Sequence, residues 1–143
     1  MPPLKTLPET TPEDRPRSEA PSGTPAAVAP VDLAARLATF DTPWHPRIVA
    51  GYNGNDVMVV KAEGAFVWHA HPETDDLFLV LSGRLDIELP EGTVSLGPGQ
   101  LHVVPAGMRH RPVARPTAEL LIIEPSGTPN TGDPRSAVHK PHA

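Results

Sequence analysis

The chain has 143 residues, 20 of them proline, no cysteine and a formal net charge of -5. That length allows one domain, the acidic balance argues against a nucleic-acid or anionic-membrane surface, and the lack of cysteine excludes disulfides and thiolate metal sites. No secretory leader pattern and no apolar run of membrane-spanning length is evident, so the expectation is a cytoplasmic protein.

Residues 1–30 are mostly Pro, Thr, Ser, Glu and Ala. Such a segment buries too little surface to offset its ordering entropy, and it reads as a disordered tail. Its prolines are scattered, which argues against a proline-rich recognition arm. From Val31 to Phe40 the apolar residues fall at helical spacing, predicting one short helix that starts near Asp32 and packs through Leu33, Leu37 and Phe40. The stretch Thr42-Pro43-Trp44-His45-Pro46 then breaks it.

From Arg47 the texture becomes short β-branched runs separated by turns. Ile48 to Ala50 and Val57 to Val60 flank Asn53-Gly54-Asn55, a strong hairpin signal. Further runs follow at Arg84 to Leu89, Thr93 to Leu96, Leu101 to Val104, Val113-Ala114 and Leu120 to Ile123, with Gly or Pro in almost every gap. About eight short strands and one helix predict an all-β sandwich or small barrel over residues 31–126. The polar tail from 127 to 143 is expected to be loose.

One stretch, Gly64 to Gly83, concentrates the chemistry. Side chains alternate on a strand, so His69 and His71 would point the same way and converge on one ion. The turn Pro72-Glu73-Thr74-Asp75 would bring Asp76 back beside them. Later, Pro105-Ala106-Gly107 turns the chain so that His110 can face the same interior. Parity puts Val67, Phe78 and Val80 inside, and Met108 is read with them as pocket lining; Phe66, Trp68, Leu77, Leu79 and Leu81 face outward. Apolar side chains on both faces predict that a second subunit covers the outer one, giving a homodimer.

The pattern Gly64, His69-x-His71, Asp76, Gly83 resembles the first motif of the cupin superfamily. Gly99, Pro105-x-Gly107, His110 resembles the second. The short segment between them is similar to that of small single-domain microbial cupins, as is Asn130-Thr131-Gly132-Asp133. The resemblance spans roughly residues 31 to 133. It implies a jelly-roll β-barrel holding a divalent metal through His69, His71, Asp76 and His110. Two departures stand out: the first motif usually carries glutamate where Asp76 stands, and the second usually ends in asparagine where Val113 and Ala114 stand.

Three imidazoles and a carboxylate suit Zn, Fe, Ni, Cu or Mn, with open positions for a small-molecule substrate or ligand. Ligating imidazoles must be neutral, so binding should weaken below about pH 6.5. Two functions follow. One is a metalloenzyme of dioxygenase or isomerase type acting on a small polar molecule. The other is a non-catalytic metal or small-ligand binding or sensor module. No inward glutamate or tyrosine beyond these residues is evident, which leans toward the second. Glu73 and Asp75 read as solvated turn residues, His102 as packing, His45, His139 and His142 as solvated, and Arg109 and Arg111 as a solvated pair near the mouth.

Overall fold

The computed structural model describes residues 29–142. The proline-rich segment 1–30 therefore lies, but for its last two residues, outside the described residues. One short helix, α1 (Leu33–Leu37), opens the fold, with the Asp32 side chain accepting a hydrogen bond from the Ala35 N–H at 3.2 Å. This caps one of the amide groups that a helix start leaves unpaired.

Six strands follow: β1 (Arg47–Tyr52), β2 (Asn55–Ala65), β3 (Asp76–Leu89), β4 (Gly92–Leu96), β5 (Leu101–Val104) and β6 (Arg111–Pro125). All pair antiparallel in the order β1-β2-β6-β3-β4, with β5 also on β3. This is the all-β barrel expected from the strand-and-turn texture. The β1–β2 hairpin turns at Asn53 and Gly54, both at positive φ (49° and 75°), the backbone that an Asn-Gly pair accepts most readily. There are fewer strands than the punctuation suggested. Pro116 does not interrupt β6, so Val113-Ala114 and Leu120–Ile123 belong to one strand, and β3 runs unbroken through Gly83.

Long strands can curve into a barrel only if their pairing slips at corners. The β3–β6 register shifts between Val80 and Ser82 and between Gly83 and Leu85, and the β2–β6 register shifts between Glu63 and Ala65. Along its length β3 pairs with β5 through Asp76–Leu79 and with β4 through Leu85–Leu89. The alternation of β3 turns Asp76, Phe78 and Val80 inward, while Leu77, Leu79 and Leu81 are half-buried on the outer face. The interior is apolar: Met58, Val60, Phe78, Leu85, Ile87 and Leu120 are all within one buried cluster.

A second cluster lies on the outer face, where Leu37 and Phe40 pack with Val49 and Val59 against Leu81 and Leu121. The helix thus covers part of the outer face. The segment after β6, expected to be loose, instead folds back on the barrel. The Ile48 N–H donates to the Pro141 carbonyl at 2.8 Å, and the Val138 N–H donates to Asn130 Oδ1 at 3.0 Å. Among the described residues, no helix is long and apolar enough to cross a membrane.

Candidate metal centre

Two loops at one end of the barrel carry the histidines, and backbone bonds join them. The His69 N–H donates to the His110 carbonyl at 3.0 Å and the His110 N–H returns the bond at 2.9 Å. The Gly107 N–H donates to the His71 carbonyl at 2.7 Å. Asp76 enters as the first residue of β3, opposite Val104. One donor atom from each of His69, His71, Asp76 and His110 lies within 4.8 Å of the other three, and all four residues are buried. Donors that share one ion at about 2.0–2.2 Å can be no more than about 4.4 Å apart, so this spread would need little contraction.

The ring orientations are set from outside the cluster. His69 Nδ1 is 2.8 Å from the Val67 carbonyl, and His110 Nδ1 is 2.9 Å from the Met108 carbonyl. A carbonyl only accepts, so each Nδ1 carries the hydrogen and each neutral ring turns an Nε2 lone pair inward. The three Nε2 atoms of His69, His71 and His110 stand 3.9, 3.2 and 2.9 Å from Asp76 Oδ2. Both ring nitrogens of His71 and Asp76 Oδ1 are buried without a hydrogen-bond partner among the described residues. Lone pairs facing a carboxylate, with further orphaned polar atoms, are costly unless a proton or a cation lies between them. The donor set therefore fits a divalent ion. The short Asp76 side chain reaches the cluster from its strand.

Burial pushes the His69 imidazole down to about 4. Burial would also lower His71, but the Asp76 carboxylate beside it, and Glu124 beyond, raise it above its ordinary value. Burial would raise Asp76, yet the His110 and His71 rings beside its Oδ2 hold it well below the usual carboxylate range.

Beside the cluster is a small cavity of about 30 Å³, with His69, Asp76 and Phe78 on its wall together with Trp44, Phe66 and Ile122. That is room for about two water-sized groups. Phe78 lines it, whereas Val80 is wholly buried in the apolar interior and is not among the lining side chains. Two other expectations are corrected: Val67 is 51% exposed and Met108 is 40% exposed. Residues 66–68 lie outside any strand, after the slip at Glu63/Ala65, so two-residue alternation does not hold there. Phe66 turns in instead, stacked on Trp44 at 5.0 Å and edge-on to His69 at 5.3 Å. Met108 sits in the turn before His110 and serves the cluster through its carbonyl.

Glu124 is the residue that sequence reasoning missed. It is 5% exposed, lines the same cavity, and pairs through Oε2 with Lys140 Nζ at 3.0 Å. Burial, then the charge of Asp76, pushes it up to about 7 against the opposing pull of Lys140. The alternation Leu120, Ile122, Glu124 on β6 would have revealed it. The other polar candidates stand apart from the cluster. Asp75 is exposed, with its Oδ1 accepting from the Ala106 N–H at 3.0 Å. Arg109 and Arg111 both lie 5.6 Å over the Trp68 ring, and Arg111 also pairs with Glu88 at 2.7 Å. His102 is half-buried opposite Phe78, outside the cluster.

Comparison with known proteins agrees with this architecture. The family model of the cupin domain matches residues 56–124. The uncharacterized protein YdbB of Bacillus subtilis is 33% identical over 64 residues, which span 44% of this chain and 57% of that protein. The crystal structure of a cupin-2 domain containing protein from Shewanella frigidimarina superposes with a TM-score of 0.65 at 36% identity, covering 66% of this chain and 93% of that one. A likeness of fold alone extends to hydroquinone 1,2-dioxygenase PnpCD, solved in complex with Cd2+ and 4-hydroxybenzonitrile. There the TM-score is 0.62 at 22% identity, over 76% of this chain and 80% of that one. With two linked motifs, an antiparallel barrel and a relative matched over nearly its whole length, this chain belongs to the cupin family.

Proposed function

We propose that the protein binds a divalent transition metal, such as Zn, Fe, Mn or Ni, through His69, His71, Asp76 and His110, and that the ion is the working centre for a small polar molecule. The observation that carries this is the tethering of the His69 and His110 Nδ1–H groups to backbone carbonyls, which aims two Nε2 lone pairs at the same carboxylate. Such an ion supplies Lewis acidity toward an oxygen-bearing ligand. The chain's own contribution is to fix the donors, exclude bulk water with Trp44, Phe66 and Phe78, and present Glu124 to the cavity. An inward carboxylate beyond the four donors favours a metalloenzyme of dioxygenase or isomerase type, because it can hold or move a proton beside the ion. The small cavity favours the second reading, a non-catalytic metal or small-ligand sensor.

Elemental analysis of protein produced in metal-supplemented medium is expected to find one divalent ion per chain. Adding that ion at a hundred times its Kd should stabilise the metal-free protein by about 2.7 kcal/mol, and the gain should fade as pH falls, beginning above the ordinary imidazole value of about 6.5 because His71 is raised there. Absence of metal together with an unchanged Tm in Zn, Mn, Fe and Ni overturns the site. Oxygen uptake or conversion of a carbonyl substrate by the loaded protein separates enzyme from sensor.

A second copy of the chain is proposed to cover the remainder of the outer face. Leu101 (56% exposed) and Val103 (39%) on β5 lie in register with Leu79 and Leu77, which in turn pair with Leu121 and Ile123 on β6. The cluster around α1 includes Leu81 and Leu121 but not Leu77, Leu79, Leu101 or Val103. Sedimentation equilibrium at micromolar concentration should return twice the chain mass; a monomer there ends the proposal.

A further inference from the structure

Glu124 stands at the edge of the four-donor cluster without belonging to it. Its Oε1 is 3.8 Å from His71 Nε2, beyond hydrogen-bond reach, while its Oε2 is held by Lys140. Lys140 is itself fixed, because its ammonium also donates to the Thr128 carbonyl. Glu124 is buried and Lys140 largely so, at 6% and 11% side-chain exposure. The segment that delivers Lys140 is anchored beneath the histidines. Gly132 approaches the Ala70 carbonyl so closely that a Cβ there would lie 1.9 Å from the oxygen. Asn130, from the same segment, reaches the cavity wall.

One carboxylate oxygen therefore has its direction fixed by an ion pair, and its partner oxygen is turned toward the centre. Most of the remaining wall is apolar, including Trp44, Met58, Phe66 and Ile122. An ionised carboxylate accepts hydrogen bonds and cannot donate them. A molecule entering this cavity would therefore meet a negatively charged acceptor on its wall.

Building on the metal reading above, we infer that Glu124 selects what binds beside the ion, admitting small neutral molecules that carry an O–H or N–H and disfavouring bare anions. A hydroxyl or amine bound to the ion donates to Oε1, forming a charge-assisted bond in a dry site. An anion without a proton meets unpaired repulsion there instead. The limited space restricts the class to molecules of two or three heavy atoms, or to the reactive end of a larger one.

The test uses the full chain loaded with Co(II), whose visible spectrum reports ligand binding, at about pH 8, with Glu124 held in its ion pair by the Lys140 ammonium. Hydroxylamine, neutral and carrying O–H and N–H donors, is titrated against azide, an anion with none. In the wild type hydroxylamine is expected to bind more tightly than azide. In Glu124→Gln that ratio should fall about tenfold, the value of one hydrogen bond to a charged acceptor, with Co(II) affinity retained. Replacing Glu124 and Lys140 together by methionine removes the buried pair without stranding either charge, and should lower the ratio equally. An unchanged ratio in either Co(II)-loaded variant overturns the inference while leaving the metal site standing. Failure of the wild type to bind Co(II) at all overturns the metal reading, and this inference with it.

Discussion

Asp76→Asn is expected to weaken divalent-metal binding by about a hundredfold, the upper end of what loss of an outer-shell partner costs, while Asp75→Ala leaves it within about threefold. The two residues are chain neighbours with the same side chain, so any difference between them is a matter of direction. Asp76 begins β3 facing inward, and its Oδ2 stands within 3.9 Å of all three Nε2 atoms. The asparagine variant keeps the volume but removes the charge that balances a dication, and its amide offers donors to lone pairs already facing it. Asp75 points the other way and accepts from the Ala106 N–H across the adjoining loops. Its loss should cost about 1 kcal/mol of stability by removing one hydrogen bond. Competition titrations with a chelator of known affinity measure the first effect, and urea denaturation the second. If Asp75→Ala lowers metal affinity more than Asp76→Asn, the start of β3 is assigned to the wrong face.

Gly83→Ala is expected to destabilise the fold by about 2–4 kcal/mol, at the severe end for a single substitution. Gly83 has φ of 79°, and a Cβ there would lie 2.2 Å from the Thr117 carbonyl oxygen and 2.8 Å from the Ala118 Cα. Those atoms belong to β6, paired with β3 along most of its length. They cannot yield as the end of a flexible side chain would. Strain from positive φ adds to the clash. Urea denaturation should show a lower midpoint with an unchanged m-value, since the same surface is exposed on unfolding. Gly99→Ala is the control: φ is 80° there, but no atom lies within 4 Å of the added Cβ. It should lose only the conformational part, about 1–2 kcal/mol. Equal losses at the two positions would mean that the corner at Gly83 is not tightly closed.

The fold was legible because its signals are local. Asn53-Gly54, Pro105-x-Gly107 and the β-branched runs each specify their own backbone, and the Asp32 cap and the spacing of Leu33 and Leu37 specify the helix. The gathering of His69, His71, Asp76 and His110 was legible for a related reason, since a His-x-His pair and a turn-plus-histidine are short patterns. Side-chain direction between Phe66 and Trp68 was not legible. Parity holds only while hydrogen-bonded pairing continues, and the slip at Glu63/Ala65 ends it. Glu124 was hidden by its neighbours, standing between an apolar run and Pro125 where the strand seemed to finish. The tail was misjudged because composition describes average burial. A few specific contacts, such as Lys140 on Glu124 and the Val138 N–H on Asn130, hold it in place.

The same tail bears on how the molecule behaves in a crowd. Among the described residues β1 ends the strand order, so one of its edges lacks a neighbouring strand. An open edge of β-branched residues is a template on which another chain can add a strand and begin aggregation. Here the chain supplies its own cover: His142 forms a parallel bridge with Ile48, and the Pro141 carbonyl accepts the Ile48 N–H. The bulge between Ile48 and Ala50 further spoils the edge as a template. Pro141 and His142 thus occupy the stretch of this edge where an added strand would pair.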